Sequence, residues 1–301
     1  MNIRTPILLA ALAVAAALGG CSDAQVQSFV KNSGGVSGLT ATIKQATGQV
    51  DEPREVEMGR GMAETLLGAR PLLRDAGLQR YVNEVGAWVA SRSDRPQLPW
   101  RFGVNDSEHV NAFAAPGGYI IVTRGMVELL QNEAELAGVL GHEIGHVVRK
   151  HHLAAVKKGA WMNLLGAGAA ATAASAGQPA EELVNALVGP TKELYARGLD
   201  RGDEFEADRV GLVLAVRAGY DPWGLPSALQ TLARVKPDDK YLALLTKTHP
   251  SPGQRLDRLS EVMGTAFDRF EALPRNEARF RAATERLRTA AAAAATAATT
   301  P

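Results

Sequence analysis

Leu136-Ala137-Gly138-Val139-Leu140-Gly141-His142-Glu143-Ile144-Gly145-His146 is the stretch from which the rest of the chain is read. Apolar residues on nearly every side of it predict a helix buried all round. His142 and His146 stand four apart, one turn along the same face, so their rings can converge on a single tetrahedral ion. Glu143 lies beside that pair, where a carboxylate acts as general base on an activated water. Two imidazoles in this spacing call for zinc, one ion per chain. The alternative, two surface histidines that happen to lie one turn apart, conflicts with the apolar flanks.

A tetrahedral site with one open position needs a third protein ligand. His152 has the metzincin spacing from His142, but that arrangement requires glycine where Arg149 stands. On a continuous helix His152 would lie ~15 Å beyond His142 and off the ligand face. His151 and His152 are therefore expected to form a solvated helix C-terminus, where cationic side chains suit the dipole. Glu204-Phe205-Glu206-Ala207-Asp208 is the better source of a ligand. On a helix Glu204 and Asp208 share a face, so Glu204 can complete the zinc site. Asp208 can then accept the far N–H of a ligand imidazole and hold the ring. Glu206 is expected to be a solvated charge. The competing reading of this segment is an acidic helix start favoured by its dipole.

Outward from these motifs, the patterning predicts an α+β fold, mostly helical, and it resembles the zincins in setting a small β-sheet beside the zinc-binding helix. Helices are expected from about Asp51 to Gly68 and from about Asp75 to Ser91, the latter with Leu78, Tyr81, Val82, Val85, Trp88 and Val89 on one side. Short strands are expected at Trp100–Val104, Ala112–Ala114 and Tyr119–Thr123, the last after the Pro116-Gly117-Gly118 turn. The zinc helix should run from Ala134 to His151, with further helices near 181–196, 203–218, 222–234, 240–245 and 252–262. The Ala/Gly-rich residues 159–177 read as a mobile flap or helical hairpin, in preference to a membrane-touching segment, because Ala and Gly bury little area per residue. The expected organisation is a leader at 1–20, a flexible tether at 21–50, one catalytic domain at 51–270, and a helical to disordered Ala-rich tail at 271–301.

The chain has 301 residues, 46% hydrophobic and 22% charged, with a formal net charge of +1. That balance gives no footprint for nucleic acid, which needs a basic excess. A single cysteine excludes an internal disulfide. It falls in Leu18-Gly19-Gly20-Cys21, directly after the apolar run Ile7–Leu18, which is too short to span a bilayer. This order resembles the bacterial lipobox, and the resemblance implies acylation of Cys21 and cleavage before it, giving a lipid-anchored protein. Ser22 in the next position implies forwarding to the periplasmic face of the outer membrane. An ordinary signal peptide or an uncleaved anchor is the other reading.

Taken with Asn111-Ala112-Phe113-Ala114-Ala115-Pro116-Gly117-Gly118-Tyr119-Ile120-Ile121-Val122-Thr123-Arg124-Gly125 and Thr248-His249-Pro250-Ser251-Pro252 with Arg255, the chain resembles the gluzincin peptidases of the HtpX and CAAX-prenyl-protease type. It is most similar to their periplasmic lipoprotein members of the LoiP/BepA kind. The resemblance covers about Asp51 to Val262. It implies zinc-dependent endopeptidase activity on misfolded or stalled envelope proteins. His249 is a candidate for donating to the oxyanion or filling the open metal position; its other reading is a structural histidine of the Pro250-Ser251-Pro252 turn. Arg255 reads as a salt-bridging residue. The Tyr119–Thr123 strand, with Gly118, Tyr119, Ile120 and Ile121, resembles the exposed edge on which zinc peptidases lay an extended substrate, though an interior strand fits its apolar run equally well. Two other functions remain open at this stage: a non-catalytic periplasmic assembly factor for outer-membrane proteins, and a zinc hydrolase acting on esters.

Overall fold

The computed structural model describes residues 50–158, 198–235 and 242–298. The expected leader, the tether with Cys21, residues 159–177 and the helix expected over 181–196 lie outside the described residues. The elements below belong to one unit, Val50–Val156 together with Val184–Pro301.

Asp51 opens α1 (Glu52–Ala69) by accepting the Arg54 N–H at 3.1 Å. Asp75 does the same for α2 (Ala76–Ala90), its Oδ1 accepting the Gly77 and Leu78 N–H groups at 3.0 Å. Both are side-chain N-caps that satisfy donors a helix leaves open. Leu78, Tyr81, Val82, Val85 and Val89 of α2 are buried, as expected. Trp88, expected on the same face, is instead 48% exposed. Its indole N–H donates to the Ala218 carbonyl at 2.8 Å, and Arg92 lies 4.1 Å over the ring.

Three strands follow: β1 (Arg101–Asn105), β2 (Ala112–Ala115) and β3 (Tyr119–Thr123). Their order is β1-β3-β2, with β1 parallel and β2 antiparallel to β3. The turn at Pro116–Gly118 joins β2 to β3, and Gly117 has a φ of 73°, a region that favours glycine. β3 is therefore central, which corrects the expectation that it is an exposed edge offering Gly118, Tyr119, Ile120 and Ile121 to substrate. Its Ile120-Ile121-Val122 run is buried on both faces, the pattern of an interior strand.

The outer side of β1 is closed by side chains of α2. Val104 donates its N–H to Gln79 Oε1 at 2.9 Å and accepts from Gln79 Nε2 at 2.7 Å. Asn83 pairs with the Phe102 N–H and carbonyl in the same way. Two residues along a strand span ~6.7 Å and four along a helix ~6 Å, so successive turns of α2 meet alternate residues of β1.

α3 (Arg124–Leu129) begins on Thr123, and α4 (Glu133–Val148) on Asn132, whose side chain accepts the Glu135 N–H at 2.9 Å. Every residue of α4 from Glu133 to Val147 is buried, as its apolar flanks predict. The helix does not continue to His151. It stops at Val148, Lys150 adopts a φ of 60°, and residues 151–158 form helix again in a new direction.

α5 (Arg201–Arg217), α6 (Gly224–Arg234), α7 (Ala243–Thr248), α8 (Pro252–Met263) and α9 (Glu277–Ala298) complete the described elements. α5 crosses α4 at glycine on glycine. A Cβ on Gly141 would lie 2.7 Å from the Gly211 carbonyl oxygen, and one on Gly211 would lie 2.5 Å from the His142 nitrogen. No larger residue permits that approach. Ser251 and Gln254 form a capping box that starts α8 directly after the Pro250 turn. α9 starts beyond the expected domain end at 270, yet Phe280 is 0% exposed and Leu287 is buried in the same core. Glu133, buried at the start of α4, accepts from Tyr81, Tyr220, Asn276 and Arg279, which ties α9 to the metal helix. No described helix is long and apolar enough to cross a membrane.

Candidate metal centre

Helix periodicity puts His142 and His146 on one face of α4, and the glycine crossing brings α5 close enough for Glu204 to reach them. The two Nε2 atoms face each other at 3.0 Å. Glu204 Oε2 lies 3.7 Å from His142 Nε2, and Oε1 lies 3.6 Å from His146 Nε2. Among the described residues these three form the one group whose donor atoms lie close enough together, within 4.8 Å, to hold a metal ion.

The chemistry of this donor set fits a divalent cation. Burial pushes the Glu204 carboxyl up to about 8 and pushes both ring pKa values down, so the histidines are neutral. Glu204 Oε2 is buried with no hydrogen-bond partner. An unpaired buried carboxylate oxygen facing two imidazole lone pairs is costly on its own, and a cation would satisfy all three groups at once.

Each ring is held from behind. His142 Nδ1 lies 2.8 Å from Asp208 Oδ1, the position expected from the Glu204–Asp208 spacing. Asp208 is braced by Arg255, which donates from Nε to Oδ2 at 2.9 Å and from Nη2 to Oδ1 at 2.5 Å. Burial would push the Asp208 carboxyl up, but the Arg255 charge and the His142 ring hold it well below the usual carboxylate range. His146 Nδ1 lies 3.0 Å from His151 Nδ1.

That contact corrects the expectation of a solvated end at His151 and His152, because both are buried. The turn at Lys150 folds the chain back, so the His152 ring centroid lies 5.3 Å from that of His146. His152 nevertheless stays outside the metal-holding group. Glu206, expected to be simply solvated, pairs with Arg149 at 3.1 Å and approaches His151 Nε2 at 3.5 Å.

Glu143 is buried beside the ligands, and burial pushes its carboxyl up to about 8. It lines two small cavities of about 20 and 30 Å³, together with His249, Asn111 and Ala112. The first has an apolar wall that includes Met126, Val139, Leu225 and Leu245, opposite His142, Glu143 and Arg255. The second is bordered by β2 and Glu204. His249 points its Nε2 to within 3.6 Å of Glu204 Oε2 while Thr248 Oγ1 lies 2.8 Å from its Nδ1. It thus faces the site, outside the His–His–Glu group. Gly118, Tyr119, Ile120 and Ile121 line neither cavity.

Arg255 forms the salt bridge that the sequence suggests, and the structure supplies its partner, Asp208. Two further participants lie beyond sequence reasoning. The contact of His151 depends on a left-handed turn at a lysine, which no local pattern announces. β2, expected as a strand over Ala112–Ala114, lines the second cavity, a role that its small residues do not announce.

A buried two-histidine helix, a carboxylate from a second helix and a small mixed sheet define a zincin-like metallopeptidase domain of the α+β class. Residues 76–263 match the sequence profile of peptidase family M48. The chain belongs to that family. It is 30% identical over 241 residues to the beta-barrel assembly-enhancing protease of Yersinia pestis, covering 76% of this chain and 46% of that one. It is 28% identical over 215 residues to the mitochondrial metalloendopeptidase OMA1 of Arabidopsis thaliana, covering 69% of this chain and 42% of the other. With the metalloprotease YcaL of Escherichia coli K12 it shares 27% identity over 259 residues, covering 86% of this chain and 97% of YcaL. The chain thus spans less than half of the Yersinia relative.

Proposed function

We propose that the chain is a zinc-dependent endopeptidase of the bacterial envelope that cuts misfolded or stalled proteins held as extended segments. The convergence of His142 Nε2, His146 Nε2 and the Glu204 carboxylate, with Glu143 on the adjoining cavity wall, carries this reading. When bound by these three residues, zinc supplies Lewis acidity at the scissile carbonyl. Glu143 takes a proton from the attacking water and passes it to the leaving amine. Asp208 holds the His142 ring in the tautomer that leaves Nε2 for the ion. His249, facing the same cavity, donates to the developing oxyanion.

Substrate contact moves from β3 to β2, the strand whose residues line the cavity with Glu143 and His249. Main-chain pairing along a strand tolerates many sequences but needs an unfolded segment. Cavities this small admit water and not a side chain, so a bound polypeptide requires the site to widen. The domain that does this work runs from residue 51 into the first half of α9. The lipobox-like leader supports a lipoprotein anchored through Cys21, and the relative named for beta-barrel assembly supports a place in the bacterial envelope.

The test is cleavage of unfolded casein by the zinc-loaded chain and its Glu143→Gln form, with ester substrates in parallel. The wild type should cut peptide bonds, and Glu143→Gln should keep zinc while losing activity by about 10² to 10⁴-fold. Cleavage by both forms, or by neither with zinc bound, removes the peptidase assignment. In the second case suppressed aggregation of an unfolded outer-membrane protein would favour the assembly-factor reading.

A further inference from the structure

The two ligand histidines are held by different chemistry. Behind His142 stands a charged carboxylate, Asp208, with Arg255 as its brace. Among the described residues no carboxylate stands behind His146; its Nδ1 meets the Nδ1 of another buried imidazole. An imidazole pair sharing one proton through these atoms has a single consistent assignment. With His146 Nε2 directed at the ion position, His146 carries its proton on Nδ1 and donates it. His151 Nδ1 must then accept, which places the His151 proton on Nε2. That nitrogen faces Glu206 Oε2 at 3.5 Å and Asp203 Oδ1 at 3.8 Å, two acceptors that suit an N–H. Arg149 fixes Glu206 from the other side at 3.1 Å.

We propose that His151 is the positioning residue of His146: it fixes the ring's tautomer and orientation as a neutral acceptor and links the buried ligand to the Asp203/Glu206 pair at the surface. The backbone is shaped for this contact. On a continued helix a residue five positions on lies about 140° around the axis from His146. The turn at Lys150, with its φ of 60°, removes that offset and brings the His151 ring centroid to 5.1 Å from that of His146. A non-glycine residue in that region is uncommon and is kept where the surroundings fix it. Lys150 is fixed by its ion pair with buried Glu55 at 3.3 Å. A neutral partner also suits the local charge. Glu143, Glu204 and Asp208 already place three buried carboxyl groups around the site, with Arg255 the buried cation among them. A further carboxylate behind His146 would add repulsion without a counter-charge.

The inference rests on the metal reading above, and its test separates the two. Zinc affinity is measured on the full chain by competition with a chromophoric chelator, for the wild type, His151→Asn and His151→Leu, alongside thermal unfolding of the metal-free forms. Asn presents an oxygen close to where Nδ1 sits; Leu keeps the bulk and removes the acceptor. His151→Leu should bind zinc about 10 to 100-fold more weakly, the usual cost of losing a partner behind a ligand, and His151→Asn should stay close to the wild type. Equal affinity for Leu and the wild type, or Asn as weak as Leu, overturns the proposal whatever the unfolding midpoints do. A wild type that binds no zinc overturns the metal reading itself. Should the Leu form not fold, nitrogen NMR of the zinc-loaded wild type decides. A His146 Nδ1 proton coupled through its hydrogen bond to His151 Nδ1 is expected, and a His146 ring without that coupling refutes the assignment.

Discussion

Asp208 stands between His142 and Arg255, with one carboxylate oxygen 2.8 Å from the ring Nδ1 and the other 2.9 Å from the guanidinium Nε. The arrangement makes Asp208 an acceptor for the ligand ring while Arg255 offsets the cost of burying its charge. Asp208→Ala should therefore weaken zinc binding by about 10 to 100-fold, measured by chelator competition. Arg255→Met should act through Asp208, which would be left buried and charged beside His142. It is expected to lower the unfolding midpoint of the metal-free protein as well as zinc affinity. An Asp208→Ala form that binds zinc like the wild type would show that the ring needs no such partner.

The crossing of α4 and α5 sets the distance between the histidines and Glu204. Gly211→Ala inserts a methyl 2.5 Å from the His142 backbone nitrogen, so the helices must separate. Overpacking of this kind costs about 1 to 3 kcal/mol in stability. Zinc affinity should fall more steeply than stability, because Glu204 moves away with α5. Calorimetry of the metal-free form and zinc titration, run together, check the pairing of the two effects.

Glu55 ties three parts of the site to the first helix. Its carboxylate accepts from Arg95 at 2.7 Å and from the Gly117 N–H at 3.2 Å, and Lys150 lies 3.3 Å away. Burial would raise its pKa, but Arg95, Lys150 and the Gly117 N–H outweigh it and lower it below the ordinary value of 4.5. A depressed folded pKa contributes stability that is present above the unfolded value and lost as pH falls through the folded one. Glu55→Gln should cost on the order of 3 kcal/mol at neutral pH, the scale of breaking a buried pair, and the difference should shrink below pH 4.5. Thermal unfolding of both proteins across that range checks it; a pH-independent difference would contradict the charge argument.

Glu143 and Glu204 shift the other way, both raised by burial to about 8. Between about 4.5 and 8 the folded metal-free chain binds more protons than the unfolded chain at these two groups, while the buried neutral rings of His142, His146, His152 and His249 oppose this below their ordinary value of 6.5, so stability falls as pH rises only over the upper part of that window. Zinc takes the ionised carboxylate, so its binding should release protons and tighten as pH rises toward 8. The metal-free unfolding midpoint should drop between about pH 7 and pH 8, and the zinc-loaded midpoint should not. A flat metal-free profile would contradict the raised values.

The parts of this fold that local pattern encodes were legible in advance. The spacing of His142 and His146, and of Glu204 and Asp208, is a helix-face property, and both pairs meet in space. Asp51 and Asp75 mark helix starts by chemistry that acts within one turn. What was not legible depends on contacts between distant segments. Ile120-Ile121-Val122 reads equally as an edge strand or an interior one, and only its pairing with both β1 and β2 decides. Trp88 is exposed because a carbonyl of Ala218 and the Arg92 side chain give it partners outside the core. Phe280 looks like the start of a solvated tail until Glu133 is seen to draw α9 in through Asn276 and Arg279. His151 reads as solvated when the helix is continued through Lys150, whose left-handed backbone has no sequence signature.

Diffraction from crystals of the zinc-loaded chain, recorded on either side of the zinc absorption edge, tests the central claim most directly. One anomalous peak per chain is expected, at zinc–nitrogen distances of about 2.0 to 2.1 Å from Nε2 of His142 and His146 and beside the Glu204 carboxylate. A peak held by other side chains, or no peak at these three residues under saturating zinc, would contradict the account.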